Sequence, residues 1–174
     1  MRGTITHVAG NTIDVRQRGG TTAKVYLTKH AKVVSVAKAK LADVKPGSYI
    51  GAAAVPGPYG TLRALEIHIF PKSMRGAGEG FHAWDLAPKS SMTNGTVAQK
   101  VARVAGDRLT VDYRGGHKVV TITPKTEIVA LLPGYRSELK PKVKIFIPDA
   151  TRNRNGSLEA TRVTVGANGL APPM

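Results

Sequence analysis

Val8-Ala9-Gly10-Asn11-Thr12-Ile13-Asp14-Val15-Arg16 returns 96 positions later as Val104-Ala105-Gly106-Asp107-Arg108-Leu109-Thr110-Val111-Asp112. Working outward, Arg18-Gly19-Gly20 matches Arg114-Gly115-Gly116 at the same offset. Asp43-Val44-Lys45-Pro46 matches Glu138-Leu139-Lys140-Pro141, and Gly60-Thr61-Leu62-Arg63-Ala64 matches Gly156-Ser157-Leu158-Glu159-Ala160. Matches in one order at a nearly constant offset define a duplication. The copies are placed at 1–71 and 94–168, with an unlike segment at 72–93 and a tail at 169–174. Each copy is near the lower size at which one core is self-sufficient, so the two are expected to pack on one another.

Alternation near a period of two dominates the first copy, through Ile5, Val8, Ile13, Val15, Val25 and Leu27. That is the spacing of half-buried strands. Gly10-Asn11 and Gly19-Gly20 supply the positive φ that tight hairpins require. The pattern predicts strands near 2–9, 12–18, 22–28, 48–56 and 61–70, with a short one at 32–36. In the second copy it predicts 95–105, 108–114, 117–123, 142–148 and 157–166, with a short one at 127–131. Between the third and fourth long strands, Ala39 to Gly47 suits one helical turn, and Leu41 and Val44 are spaced to plug the end of a barrel. The order of three strands, a helical turn and two strands is that of an OB-like barrel, whose closure removes exposed edges. The expected fold is all-β: two tandem OB-like barrels from an internal duplication, joined by an ordered Gly- and Trp-containing segment. The copies differ in two places. Four extra residues enter around Ala98–Arg103, which predicts a longer strand or a bulge. Lys142 stands where the first copy has Gly47, which predicts a different turn.

Lys and Arg number 26 against 11 Asp and Glu, a formal charge of +15 over 174 residues. By segment this is +7 for 1–71, +1 for 72–93 and +7 for 94–174. The charge therefore belongs to both copies, and folded basic surface attracts polyanions. There is no cysteine, hence no disulfide, thiolate metal site or cysteine nucleophile. No apolar stretch approaches the ~20 residues of a spanning helix. Met1 runs directly into a strand pattern, so the chain reads either as cytoplasmic or as an exported protein whose leader is absent.

Segment 72–93 holds the lone tryptophan and the run Gly76-Ala77-Gly78-Glu79-Gly80. A spacer needs neither Trp84 nor Phe81, so the segment is expected to be an ordered clasp involving Arg75, Gly76, Gly78, Gly80, Trp84 and Asp85. The glycine run lacks the Gly-Lys-Ser/Thr ending of a phosphate loop, and no helix pattern follows it. Close backbone packing or turns explain the glycines better. The pieces Leu65-Glu66-Ile67-His68-Ile69-Phe70-Pro71, Met74-Arg75-Gly76-Ala77-Gly78-Glu79-Gly80, Trp84-Asp85-Leu86, Ser91-Met92-Thr93-Asn94-Gly95-Thr96-Val97 and Val163-Thr164-Val165-Gly166 together resemble a family of uncharacterised bacterial exported proteins with paired OB-like barrels. Such proteins often carry the automatic label of metal transporter permease. The resemblance implies export, to the periplasm or beyond the cell, and a barrel fold. It brings no ligand and no catalytic residues.

Three constellations remain. Glu66 and His68 are two apart and share a strand face, with Met74, His82 and Met92 nearby in sequence. Thioether and imidazole ligands suit Cu(I), which makes a periplasmic copper-binding protein the second reading. Basic residues Arg16, Arg18, Lys24, Arg108, Arg114 and Lys118 accompany Tyr26 and Tyr113 on barrel strands, as single-stranded nucleic-acid binding requires. A cytosolic nucleic-acid binder is the third reading and is not favoured beside export. The carboxylates are scattered singly, and Ser90, Ser91 and His82 form no nucleophile arrangement, so no catalytic residue is assigned. The leading reading is a non-enzymatic exported protein without a cofactor, engaging an acidic ligand or a protein partner through its basic surface.

Overall fold

Gly10 and Gly20 adopt φ of +57° and +86°, so both hairpin turns of the first copy form where their glycines permit them. The computed structural model describes residues 1–102, 106–154 and 156–172. The strands among these residues are β1 (Arg2–Ala9), β2 (Thr12–Gln17), β3 (Thr22–Lys38), β4 (Tyr49–Pro56), β5 (Leu62–Ile69), β6 (Gly80–Ala83) and β7 (Ser91–Val101). They continue with β8 (Arg108–Tyr113), β9 (Gly116–Thr121), β10 (Glu127–Pro133), β11 (Lys144–Phe146), β12 (Thr151–Arg152) and β13 (Leu158–Gly166). The protein is all-β, a large mixed parallel and antiparallel sheet, and its helical elements among the described residues are single 3-10 turns. No helix of the described residues is long and apolar enough to cross a membrane.

The compact units do not follow the repeat boundaries at 71 and 94. One unit combines Met1–Ala37 with Leu132–Pro172, and the other is essentially Lys38–Leu131. In the first, β1 pairs with β2, β2 with β3, β3 with β13 in parallel, β13 with β11, and β11 with β1. The pairings return to their starting strand. In the second, β7 pairs with β8, β8 with β9, β9 and β10 in parallel with β5, β5 with β4, and β4 with β7. Each circuit thus takes its opening strands from one copy and its closing strands from the other.

The two cores record the same exchange. The first unit buries Ile5, Ile13, Val15, Val25, Leu27 and Val33 from the first copy against Leu139, Ile145, Ile147, Ala160, Val163 and Val165 from the second. The second unit buries Val44, Ile50, Ala52, Ala54, Leu62, Ala64 and Ile67 against Val97, Leu109, Val111, Val120 and Ile122. Equivalent positions do equivalent work. A Cβ added to Gly3 would overlap the Arg16 carbonyl and the Val15 side chain, and one added to Gly95 would overlap the Asp112 carbonyl and Val111. Both strands need a glycine where the partner backbone comes this close.

The helical turns form at Leu41–Asp43 and Arg136–Glu138, with Val44 and Leu139 buried in the respective cores. Lys100 Nζ donates to the Leu41 carbonyl at 2.8 Å, and Arg136 donates to Asn11 Oδ1 at 2.7 Å, which pins each turn to its own unit.

Three details differ from the sequence reading. The segments 22–28 and 32–36 are one continuous strand, β3. In the second copy Pro124, which has no N–H to give a ladder, falls in the gap between β9 and β10. The bulge predicted for the second copy is common to both, between Ile5 and His7 and between Val97 and Gln99. The register pairs Val101 with Arg108 as it pairs Ala9 with Thr12, so the four extra residues fall in the connection after Val101 and not in the strand. Arg103 lies outside the described residues. Finally, the Lys142 turn is the same turn as at Gly47: φ is +74° and +83°, and their N–H groups donate to the Ile5 and Val97 carbonyls, both at 2.8 Å. A lysine is held in left-handed backbone because the equivalent hydrogen bond requires it there.

Two outcomes are expected. Lys142→Gly raises the unfolding free energy by about 1 kcal/mol, measured by urea titration, because the left-handed strain is removed. A fragment of residues 38–131 gives a cooperative thermal transition, whereas fragments 1–71 and 94–172 do not, because only the first contains a whole core.

Candidate functional site

The segment after β5 is a strap on its own unit. Pro71 begins a 3-10 turn at Lys72–Met74. Gly76 and Gly78 then reverse the backbone with φ of +86° and +58°, and Gly80, at +135°, leads into β6. A Cβ on Gly78 would press on Asn94 Nδ2, and one on Gly80 would press on the His82 ring. The glycine run therefore serves positive-φ turns, with close approach to the sheet at Gly78. β6 pairs antiparallel with β7, from Gly80 opposite Asn94 to Ala83 opposite Ser91. The segment runs between two strands of the Lys38–Leu131 unit, so it fastens that unit and is not a link from one repeat domain to the next.

Its polar fastenings are specific. The Arg75 guanidinium donates to Thr96 Oγ1 at 3.1 Å and to the Gly47 carbonyl, and lies 5.8 Å from the Tyr49 ring centroid. The Ala77 carbonyl accepts from Tyr49 Oη at 3.2 Å and Asn94 Nδ2 at 3.3 Å. Glu79 Oε1 accepts from the Arg114 backbone N–H at 3.0 Å, and Lys118 Nζ stands 4.4 Å over the Phe81 ring. Burial, reinforced by the Glu79 charge and opposed by Arg75, raises the Tyr49 pKa, so its hydroxyl remains a donor to the strap. Trp84 is half-buried and Asp85 exposed; the turn holding them closes through the Trp84 N–H to the Ser90 carbonyl at 2.9 Å and Ser90 Oγ to the Trp84 carbonyl at 2.8 Å.

Among the metal candidates, Glu66 and His68 come together. His68 Nε2 lies 3.3 Å from Glu66 Oε2, and both residues are buried. Met92 is buried on β7 opposite Ala53, which is itself opposite Glu66, and His82 is exposed opposite Met92. Met74 is half-buried in the 3-10 turn. Among the described residues no three His, Asp or Glu side chains converge as a metal cluster.

The basic candidates divide by unit. Arg108 opens β8, paired with Val101 and Thr121, and Tyr113 ends it, half-buried. The strap engages the Lys118 side chain and the backbone N–H of Arg114, whose side chain is exposed. In the other unit, Arg16 and Lys24 are exposed on β2 and β3, and Tyr26 is 41 % exposed two positions beyond Lys24. Arg18 is exposed in the turn that joins β2 to β3. Thr4 is opposite Arg16, Asp14 opposite Lys24 and Thr12 opposite Tyr26, which places these side chains on one outer face. Asp14 and Glu159, opposite Tyr26, are the acidic members nearby. The exchange of strands concentrates charge on this unit: 13 basic against 4 acidic residues, +9, whereas Lys38–Leu131 has 13 against 7, +6. Duplicated registers show one cause, since Arg16 sits opposite Thr4 where Asp112 sits opposite Thr96. Sequence counting missed this asymmetry because it summed over copies, and the units are not the copies.

No protein-family model, curated protein or solved structure matches the chain.

Arg75→Ala is expected to lower the stability of the strapped unit by about 1 kcal/mol, the scale of exposed charge-assisted contacts, read as a drop in the unfolding midpoint. In a tyrosine absorbance titration, Tyr49 ionises above the ordinary phenol range, and Glu79→Gln brings it down. Because the unfolded phenol loses its proton first, the strap's stabilisation by Tyr49 is present below about pH 10 and fades above it.

Proposed function

We propose that this is a non-enzymatic, exported binding protein. It is built from two OB-like barrels formed by exchange of half-repeats, and it engages an acidic ligand or protein partner through the Met1–Ala37/Leu132–Pro172 unit. The observation that carries this reading is the outer face of β1, β2 and β3. There Arg16, Lys24 and Tyr26 are exposed in the unit that bears the larger net charge, while Lys118 of the other unit is held over the Phe81 ring of the chain's own strap. A closed circuit with a parallel third-to-fifth strand pairing and a 3-10 plug supports the OB-like description of each unit. Export rests on the family resemblance.

On a sulfated-polysaccharide column, R16Q/K24Q is expected to elute at lower salt than the parent by about 0.1 M, since each cation lost reduces counterion release. K118Q, whose ammonium is held by the Phe81 ring, elutes close to the parent. Equal elution of all three proteins, or a larger shift for K118Q, refutes the assignment of this face. The exposed ring of Tyr26 beside Lys24 also favours a second reading, single-stranded nucleic acid, in which Tyr26→Ala weakens binding of an oligo-dT strand.

A further inference from the structure

The parallel strand pairs of the two units carry opposite charges at one equivalent position. In the first unit Lys32 on β3 is opposite Arg162 on β13, next to the core pair Val33 and Val163. In the second, Glu127 on β10 is opposite Glu66 on β5, next to Ile128 and Ile67. Like charges held directly opposite one another repel across a sheet. The acidic pair has relief within its own unit, since His68 Nε2 lies 3.3 Å from Glu66 Oε2. The cationic pair has none. Both of its side chains are exposed, and among the described residues no carboxylate pairs with either.

Lys32 and Arg162 extend the outer row that Lys24 and Tyr26 begin on β3. Between them β3 bulges: Leu27 is opposite Ala160 and Lys32 opposite Arg162, so Thr28 to Ala31 face a single residue of β13. Arg136 pins the bulge by donating to the Thr28 and Lys29 carbonyls at 2.5 and 3.3 Å, and the Lys29 side chain is exposed on it. At the rise of an extended strand, the row from Lys24 to Lys32 is at most about 26 Å long.

We infer that this row binds an acidic polysaccharide lying along β3, with the Lys32–Arg162 pair holding one of its anionic groups. The inference rests on the reading of this unit as the binding unit, and it names the ligand class and a second point of contact. A sulfate or carboxylate between Lys32 and Arg162 relieves the repulsion that the register builds into the pair, so it gains more there than at a lone lysine. Two carboxylates interrupt the row: Asp14, opposite Lys24 and 3.7 Å from His7, and Glu159, opposite Tyr26. A carboxylate only accepts hydrogen bonds. Sugar hydroxyls donate to it, whereas the sugar-phosphate backbone of a DNA strand has no donor to offer. The mixed row therefore favours a polysaccharide over a nucleic acid.

The test uses the full chain, isothermal titration calorimetry and two heparin fragments: a dodecasaccharide, and a disaccharide too short to reach from Lys24 to Lys32. The dodecasaccharide is expected to bind at least about tenfold more tightly. K32Q/R162Q should weaken it about tenfold and lower the slope of log K against log salt by about 1 to 2, as loss of two ionic contacts requires. R63Q/K125Q removes two exposed cations of the other unit, the same net charge, and should change neither. Lys32→Glu places opposite charges across the strands, so its melting midpoint should rise while its affinity falls further than that of Lys32→Gln. A structural role for Lys32 would instead lower the midpoint. Undiminished binding by K32Q/R162Q, an equal loss from R63Q/K125Q, equal affinity for the two fragments, or a lowered midpoint for Lys32→Glu overturns the inference. Oligo-dT bound through Lys32 and Arg162 more tightly than the dodecasaccharide also overturns it, in favour of a nucleic-acid track. The two readings fail separately. If R16Q/K24Q weakens binding and K32Q/R162Q does not, the pair falls and the β1–β3 face stands. If K32Q/R162Q weakens binding and R16Q/K24Q does not, the pair stands as the site and the wider face falls.

Discussion

Three antiparallel strands from one copy bury their apolar face only against two strands from the other. Ile5, Ile13, Val15, Val25 and Leu27 have Ile145, Ile147, Val163 and Val165 as core partners, and Leu109, Val111 and Val120 have Ile50, Leu62 and Ile67. Burial of apolar area is the dominant favourable term in folding a β-domain of this size. It follows that neither copy owns a core, and the duplicated segments are obligate partners. Constraints local to each circuit follow from this closure. Gly3 and Gly95 give the room for strands to meet, and the left-handed turn at Gly47 and Lys142 delivers an N–H to the bulged strand. Lys142 tolerates an unfavourable backbone state because the circuit needs that hydrogen bond.

Duplication with exchange also supplies an internal comparison. The same outer positions exist twice, once as Asn94, Thr96, Tyr49 and Asp112, and once as Arg2, Thr4, Lys144 and Arg16. The first set is neutral to acidic and serves intramolecular fastening, in which a glycine-rich loop brings a backbone carbonyl and a carboxylate onto the sheet. The second set is cationic. Asn94 and Tyr49 of the first set hold the loop's Ala77 carbonyl, and the second set adds to the larger positive charge of its own unit.

Much of this was legible in the sequence. The period-two pattern located the long strands to within a few residues, because half-burial of a strand imposes alternation whatever the strand's neighbours are. Turn chemistry located the hairpins, since Gly10 and Gly20 answer a local steric demand. Gly76, Gly78 and Gly80 were legible as turn or close-packing residues for the same reason: all three have positive φ, and a Cβ on Gly78 or Gly80 would meet a neighbouring side chain. The turn at Lys142 was not, because a hydrogen bond to a strand distant in sequence overrode the local preference of lysine. The basic residues were visible as types, but not which of them the strap engages, since the contacts of Glu79 with Arg114 and of Phe81 with Lys118 join positions more than thirty apart in the chain.

The amino-acid order alone determined that the protein is all-β, that one pattern of residues recurs along it, and that Ile5, Ile13, Val15, Val25 and Leu27 face inward. These are consequences of local geometry: the pleat, the turn and the repeat. Only the tertiary structure decided which strands close upon which. Each copy alternates apolar and polar residues with the same period of two, and that local signal does not name the partner strand. With that choice made, the charges redistribute into units of +9 and +6, and the segment after β5 becomes a strap across β4 and β7 of its own unit.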